Sequence, residues 1–228
     1  MKKIIVLMLL SFVPVLMFAQ ASGGQITRES KKTVRKSSVV KRQEIKYSYS
    51  TPIGVDLGLP SGTLWADRNV GANTPEDRGY DFVWGETIPR ERNKQNIENS
   101  SPGDSKGTKQ KMNLKDDAAY VNLGHSWVLP TYEQIKELTN QNYTEIYWLI
   151  HDGIGGLKII SRKNGNSIFV PTSGKSFAPN IGYYWTSDVN EQDNREAYSL
   201  VFDRDGVSKY HNTGMKYQGR QIRPVYYH

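Results

Sequence analysis

The chain has 228 residues, no cysteine, 11% aromatic residues and a formal charge of +7. Without cysteine, disulfides, thiol nucleophiles and thiolate metal sites are excluded, and stability must come from an ordinary core. The charge is lopsided: residues 22–50 carry eight Lys/Arg against Glu29 and Glu44, whereas 20 basic and 21 acidic side chains follow residue 50. The basic character therefore belongs to a tail, and no nucleic-acid face is expected on the folded body.

The chain opens MKKIIVLMLLSFVPVLMFAQA. Lys2 and Lys3 lead into an apolar run over 4–18, and Ala19-Gln20-Ala21 forms a small-x-small site. This reads as a secretory signal peptide over 1–21, cut after Ala21 or Ala19 and too short to span a bilayer. The expected location is therefore secreted, periplasmic or at the cell surface. Residues 22–50 are rich in Ser, Thr, Lys and Arg with few large apolar side chains, which predicts a basic disordered linker. Its second reading is adhesion to anionic cell-surface polymer. One domain is expected over 51–228.

That domain starts with VDLGLPSGTLWADRNVGA, three glycines and a proline around Trp65. Short strands are predicted at 64–66 and 82–85. Residues 88–112 are polar and aperiodic and read as a long surface loop. A weak helical turn is predicted over 114–120, with acidic residues near its start. The best helix runs from Thr131 to about Asn140, with Thr131 as N-cap and Gln134 completing a capping box. Strands at 158–161 and 167–170 flank Asn164-Gly165, a strong hairpin signal. Strands are also predicted at 183–187, 197–202, 207–210 and 221–225, the middle two joined by Asp203-Arg204-Asp205-Gly206. The fold class is α+β, mostly short antiparallel strands with one or two helices and long loops.

Five spaced blocks carry a family resemblance: VDLGLPSGTLWADRNVGANTPEDRGYDFVWGET, GHSWVLPTYEQIKEL, NGNSIFVPTSG, GYYWTSD and GRQIRPV. Over about 55–226 the chain resembles the Fibrobacter succinogenes major paralogous domain, abundant in secreted proteins of Bacteroidetes and Fibrobacter. The resemblance implies a C-type lectin-like fold, in the variant shared with formylglycine-generating enzymes, and brings no established activity. It implies that Trp65, Trp84, Trp127 and Trp185 are core residues. Trp148, outside the strongest blocks, is the tryptophan expected to be exposed.

No residue pattern nominates catalysis. The formylglycine branch uses a cysteine pair, absent here. His125, His151, His211 and His228 lie in separate segments, unlike a histidine cluster for iron. Glu86 reads as a buried structural carboxylate, and Asp56 and Asp77 as turn-forming side chains. Sugar-binding calcium lectins carry Glu-Pro-Asn and Trp-Asn-Asp triplets; this chain has Ala178-Pro179-Asn180 and Trp185-Thr186-Ser187-Asp188, which lack oxygens a hard cation needs. No metal or cofactor is therefore expected, although Asp203 and Asp205 could hold a structural calcium.

The positive signal is compositional. Seven of the 14 tyrosines lie between Tyr183 and Tyr227, among Asn, Ser, Asp and Arg, the residues of adaptable binding surfaces. By resemblance, the candidate ligand face comprises Tyr183, Tyr184, Asn190, Asp193, Asn194, Arg195, Tyr198, Tyr210, Asn212 and Tyr217, with Tyr184 and Tyr198 partly in the core. The expected function is an exported, non-catalytic recognition module for an extracellular glycan or protein. The alternatives are a carbohydrate-active or oxidative enzyme on the same fold, and a structural subunit of a cell-surface assembly.

Overall fold

The structure, a computed structural model, describes residues 47–90, 111–208 and 212–226. They fall in one compact unit, Ile45–His228. The expected signal peptide, residues 22–46 of the expected linker, most of the 88–112 loop, Tyr210, His211 and His228 lie outside the described residues. Tyr47 and Tyr49, the end of that linker segment, set their rings edge-on to Tyr80 with centroids 5.3 and 5.7 Å away. Ser50 donates to the Ala72 carbonyl at 2.7 Å, so residues 47–50 pack on the body rather than preceding it.

In chain order the strands are β1 (Gly54–Asp56), β2 (Leu64–Ala66), β3 (Phe82–Val83), β4 (Trp127–Val128), β5 (Thr144–His151), β6 (Ile154–Ser161), β7 (Ser167–Pro171), β8 (Gly182–Val189), β9 (Glu196–Asp203), β10 (Gly206–Val207), β11 (Thr213–Met215), β12 (Gly219–Arg220) and β13 (Val225–Tyr226). The helices are α1 (Ala118–Leu123), preceded by a 3-10 turn at Leu114–Asp116, and α2 (Tyr132–Leu138). Among the described residues the strands form four small sheets: β1-β2-β13-β4, β5-β6-β7, β12-β3, and β10-β9-β11 with β8 also on β9. All strand pairs are antiparallel. This is the expected α+β composition, mostly antiparallel sheet with few helices.

The glycine-rich opening block explains itself at β2. Trp65 stands in register between Val55 of β1 and Val225 of β13, so residues far apart in sequence meet on one indole. The chain reverses before it through Asp56, whose carboxylate accepts from Gly58 N–H at 2.6 Å. After it, Gly71 has φ +79, and a Cβ there would lie 2.1 Å from the Tyr80 ring. Only glycine satisfies both the angle and that approach.

Two cores share the same strands. Successive residues of a strand point to opposite faces. Thus Trp65 joins one cluster with Leu57, Leu138, Leu157, Ile159, Val170, Leu200 and Phe202, while Ala66 joins the other with Val70, Phe82, Trp84, Trp127 and Leu129. Strand β8 repeats the division: Tyr184 enters the first cluster and Trp185 the second. Trp65, Trp84, Trp127 and Trp185 are all buried. Trp148, expected to be exposed, is half-buried and packs on the first cluster. A Cβ on Gly155 would stand 2.6 Å from the indole, so this glycine, diagonal to Trp148 on β6, makes room for it.

A polar network pins these parts together. Arg223 is buried, and its guanidinium donates to Asn69 Oδ1 at 2.7 Å and to the Ala66 and Phe169 carbonyls at 3.0 and 2.8 Å. Asn69 donates to Tyr184 Oη at 3.0 Å, and Tyr184 donates to the Pro171 carbonyl at 2.5 Å. Burial lowers the Arg223 pKa to about 10 and raises that of Tyr184 to about 12. The network therefore links the opening block, β7, β8 and the C-terminal block.

Helix α1 starts at Asp117, whose carboxylate accepts from Ala119, Tyr120 and Leu129 N–H groups at 2.8–3.1 Å. Helix α2 has the expected capping box, Thr131 and Gln134 bonded reciprocally. Ile135 and Leu138 are its buried face. The Asp188 carboxylate accepts from Tyr132 N–H at 2.6 Å and docks the helix start on β8. The β6–β7 hairpin turns at Gly165, φ +77, as Asn164-Gly165 predicts. Both Asn164 and Asn166 donate to the Asp56 carbonyl, at 2.9 and 2.8 Å, tying that tip to β1.

Candidate functional site

The expected ligand face is not one surface. Tyr183 and Tyr184 are neighbours on β8, and the pleat sends them to opposite sides. Tyr184 is only 1% exposed, holds the Arg223 network and stacks near Phe202. It is corrected here to a core residue, since a side chain committed to Asn69 and Pro171 offers nothing to a ligand. Tyr183 is half-buried on the other side, with the Arg220 guanidinium 5.2 Å above its ring. Arg220 also lies 4.5 Å over Trp185 and donates to Ser199 Oγ at 2.5 Å. Desolvation lowers its pKa to about 10. Tyr183 therefore belongs with this buried cation and not with Tyr198.

The loop residues are held mainly by one another. Asn190 donates to Glu196 at 3.0 Å, and Glu196 also accepts from Thr213 Oγ1 at 2.8 Å. Asp193 accepts from the Arg195 backbone at 2.9 Å and pairs with its guanidinium at 2.6 Å. The Arg195 side chain and backbone hold the Asp193 carboxyl down at about 2. Asn194, Arg195 and Tyr217 are exposed, and Tyr210 lies outside the described residues.

What the fold does assemble runs along the outer side of α2. Tyr198 leaves β9 on the side of Leu200 and stacks on Tyr132, centroids 4.4 Å apart and rings 8° from parallel. Asn212 donates to the Tyr132 hydroxyl. Lys136, one turn on, sits 5.3 Å over the Tyr132 ring and pairs with Glu133. Beyond it lies a shallow depression of about 380 Å³ between Ser61, Glu133, Lys136, Glu137, Asn140 and Tyr143. A second, of about 390 Å³, follows between Tyr143, Asn142, Arg162, Lys163, Gly58 and Pro60. Tyr143 forms the ridge that both share.

The strip is rigid where it needs to be. Ser61 Oγ donates to Glu137 at 2.5 Å, and Ser61 N–H donates to the other oxygen at 2.9 Å, fixing the opening-block turn to α2. Gln134 reaches Thr63 Oγ1 at 3.0 Å. The Arg162 guanidinium is aimed by the Gln141 carbonyl at 2.8 Å and Glu145 at 2.6 Å. Tyr132, Lys136, Tyr143, Asn142 and Arg162 were not nominated from sequence. For Lys136 the signal was the capping box: it fixes the rotation of α2, turns Ile135 and Leu138 inward, and so leaves Glu133 and Lys136 outward; Asn142, Tyr143 and Arg162 join only through tertiary packing.

The remaining candidate chemistry is dispersed. His125 stacks on Tyr120 at 4.5 Å, while His151 faces Glu76 at 3.1 Å. Glu86 is half-buried and 4.0 Å from Arg90. Asp56 and Asp77 cap turns, accepting from Gly58 and Gly79 N–H groups. Asp203 likewise accepts from Asp205 N–H at 2.8 Å. Among the described residues, no three His, Asp or Glu side chains converge as a metal cluster, and no helix is long and apolar enough to cross a membrane.

The fold and site define a class only in broad terms, an antiparallel α+β domain with a shallow polar and aromatic strip. Compared with family models, curated proteins and solved structures, the chain matches none.

Proposed function

We propose that the protein is an exported, non-catalytic recognition module that binds an extracellular glycan or protein through the strip along α2. One observation carries this reading: Tyr198, Tyr132, Lys136, Tyr143 and Arg162, drawn from four separate segments, form a continuous series of contacts and shared walls. Aromatic rings beside amides and fixed charges are suited to recognition, because a ring gives contact area at little entropic cost while polar groups set orientation. Two shallow depressions either side of a tyrosine ridge suit an extended ligand, such as an oligosaccharide or a peptide, better than a small molecule needing enclosure.

The five-block resemblance supports reading the chain as a Fibrobacter-type secreted domain with a C-type lectin-like fold. Export follows from the reading of residues 1–21. In such a module the basic residues 22–46 act as a spacer from whatever the protein is attached to.

The test is a glycan array, with a pull-down from outer-surface fractions alongside, comparing wild type with Tyr143→Ala and Lys136→Ala. Both variants should fold and lose at least tenfold in affinity for any captured ligand, about 1.4 kcal/mol. A ligand that both variants bind as tightly as wild type refutes this site.

A further inference from the structure

Strand β5 is an open edge. It has eight residues, TEIYWLIH, and among the described residues it pairs only with β6. The bonds at its ends fix which backbone groups face outward. The Tyr143 carbonyl accepts from Arg162 N–H on the β6 side, while the Gly155 carbonyl, on the next strand, accepts from Thr172 N–H on the β7 side. Antiparallel bonding alternates along a strand. Odd residues of β5 therefore bond β6, and the N–H and C=O groups of Ile146, Trp148 and Ile150 point away from it. Among the described residues these six groups have no backbone partner. Strand β10 comes near β5 without pairing to it.

This edge also lacks the usual protection. Natural edges are blunted by proline, bulges or inward charges. Here there is no proline, the pairing with β6 is continuous over all eight residues, and Tyr147 and Ile150 are 50% and 70% exposed.

We infer that β5 pairs antiparallel with β5 of a second copy of this chain about a two-fold axis. The free groups select the register. Centring the axis on Trp148 places Trp148 opposite its own copy and Ile146 opposite Ile150. This is the one register in which the three outward-facing residues pair wholly among themselves, so all six groups of each copy are bonded. The same register sets Tyr147 opposite Leu149, and Glu145 opposite His151 at both ends. Apolar side chains then meet apolar ones, and each terminal carboxylate meets an imidazole. The two β5-β6-β7 sheets become one six-stranded sheet, an isologous interface of the kind a closed dimer requires.

The absence of cysteine makes the register directly testable. Tyr147 and Leu149 would form a non-hydrogen-bonded cross-strand pair, with Cα atoms about 4.5 Å apart, within disulfide reach. Light scattering coupled to gel filtration should give a dimer for the purified protein. Ile150→Lys, at a mostly exposed position, should give a folded monomer by circular dichroism. Tyr147→Cys mixed with Leu149→Cys should form a disulfide dimer under mild oxidant, and neither variant should do so alone. A monomeric wild type, or a dimer whose mixed cysteine pair fails to cross-link, overturns the inference.

Discussion

Replacing Arg223 by alanine is expected to cost about 3–5 kcal/mol. The guanidinium is buried and touches Asn69 Oδ1 and two carbonyls, of Ala66 and Phe169. Truncation orphans three buried acceptors, each costing about 1–3 kcal/mol, and leaves a cavity in addition. Against this stands relief of an expensive burial. The fall of its pKa from 12.5 to about 10 corresponds to roughly 3 kcal/mol of charge desolvation, at 1.36 kcal/mol per unit. The acceptors and the cavity together exceed that relief, so the sign is destabilising. Tyr184→Phe should cost less, about 1–2 kcal/mol, because only the Pro171 carbonyl loses its donor while Asn69 keeps the Arg78 carbonyl at 3.1 Å. Urea unfolding followed by tryptophan fluorescence gives both values. An Arg223→Ala midpoint indistinguishable from wild type would refute the idea that this arginine clasps the opening block to the end of the chain.

Burial raises the Asp117 pKa from 3.8 to about 6. The native state then holds a proton that the unfolded chain releases, so this residue's contribution is full below about pH 4 and is lost as pH rises through 6. The loss is about 3 kcal/mol at most; urea midpoints at pH 4 to 7 should show this slope in wild type but not in Asp117→Asn, and equal slopes would refute it. The Asp193 carboxyl should titrate near 2 by NMR and return towards ordinary values in Arg195→Gln; no change would mean that the clasp does not form in solution. A chain starting at residue 46 should melt like the longer protein, whereas one starting at residue 51 should melt lower, having lost the Tyr47 and Tyr49 contacts with Tyr80; equal melting of both would refute the packing of residues 47–50.

Local chemistry was legible wherever a motif closes on itself. The Thr131–Gln134 box and the Asn164-Gly165 hairpin need only a few neighbouring residues, and both stand as expected. The core placement of the four block tryptophans came from the family resemblance of their blocks. Strand β5 escaped because its apolar residues fall on both faces: Ile146 and Trp148 point inward, Tyr147 and Leu149 outward, so no alternation shows. Its turn, Asp152-Gly153 with φ of 48° and 77°, was the available signal, since both angles suit a two-residue hairpin.

The site was harder for a physical reason. A run of tyrosines suggests one surface, yet Tyr183-Tyr184 in a strand must face two ways. Composition is blind to that parity until the strand register is known. The α2 strip has the opposite problem: Tyr132, Tyr143, Arg162, Tyr198 and Asn212 are far apart in sequence, and only tertiary packing joins them. Tyr198 and Asn212 were nominated through the resemblance, whereas their partner Tyr132 was hidden inside a helix pattern.

The most direct measurement is an amide NMR titration of the isotope-labelled protein with an oligosaccharide or peptide captured from the array or pull-down. The shifts should trace Tyr132, Lys136, Asn140, Tyr143 and Arg162 as one contiguous strip and vanish from it in Tyr143→Ala. Shifts gathered instead at Asp193, Arg195 and Tyr217, with α2 silent, would contradict the account.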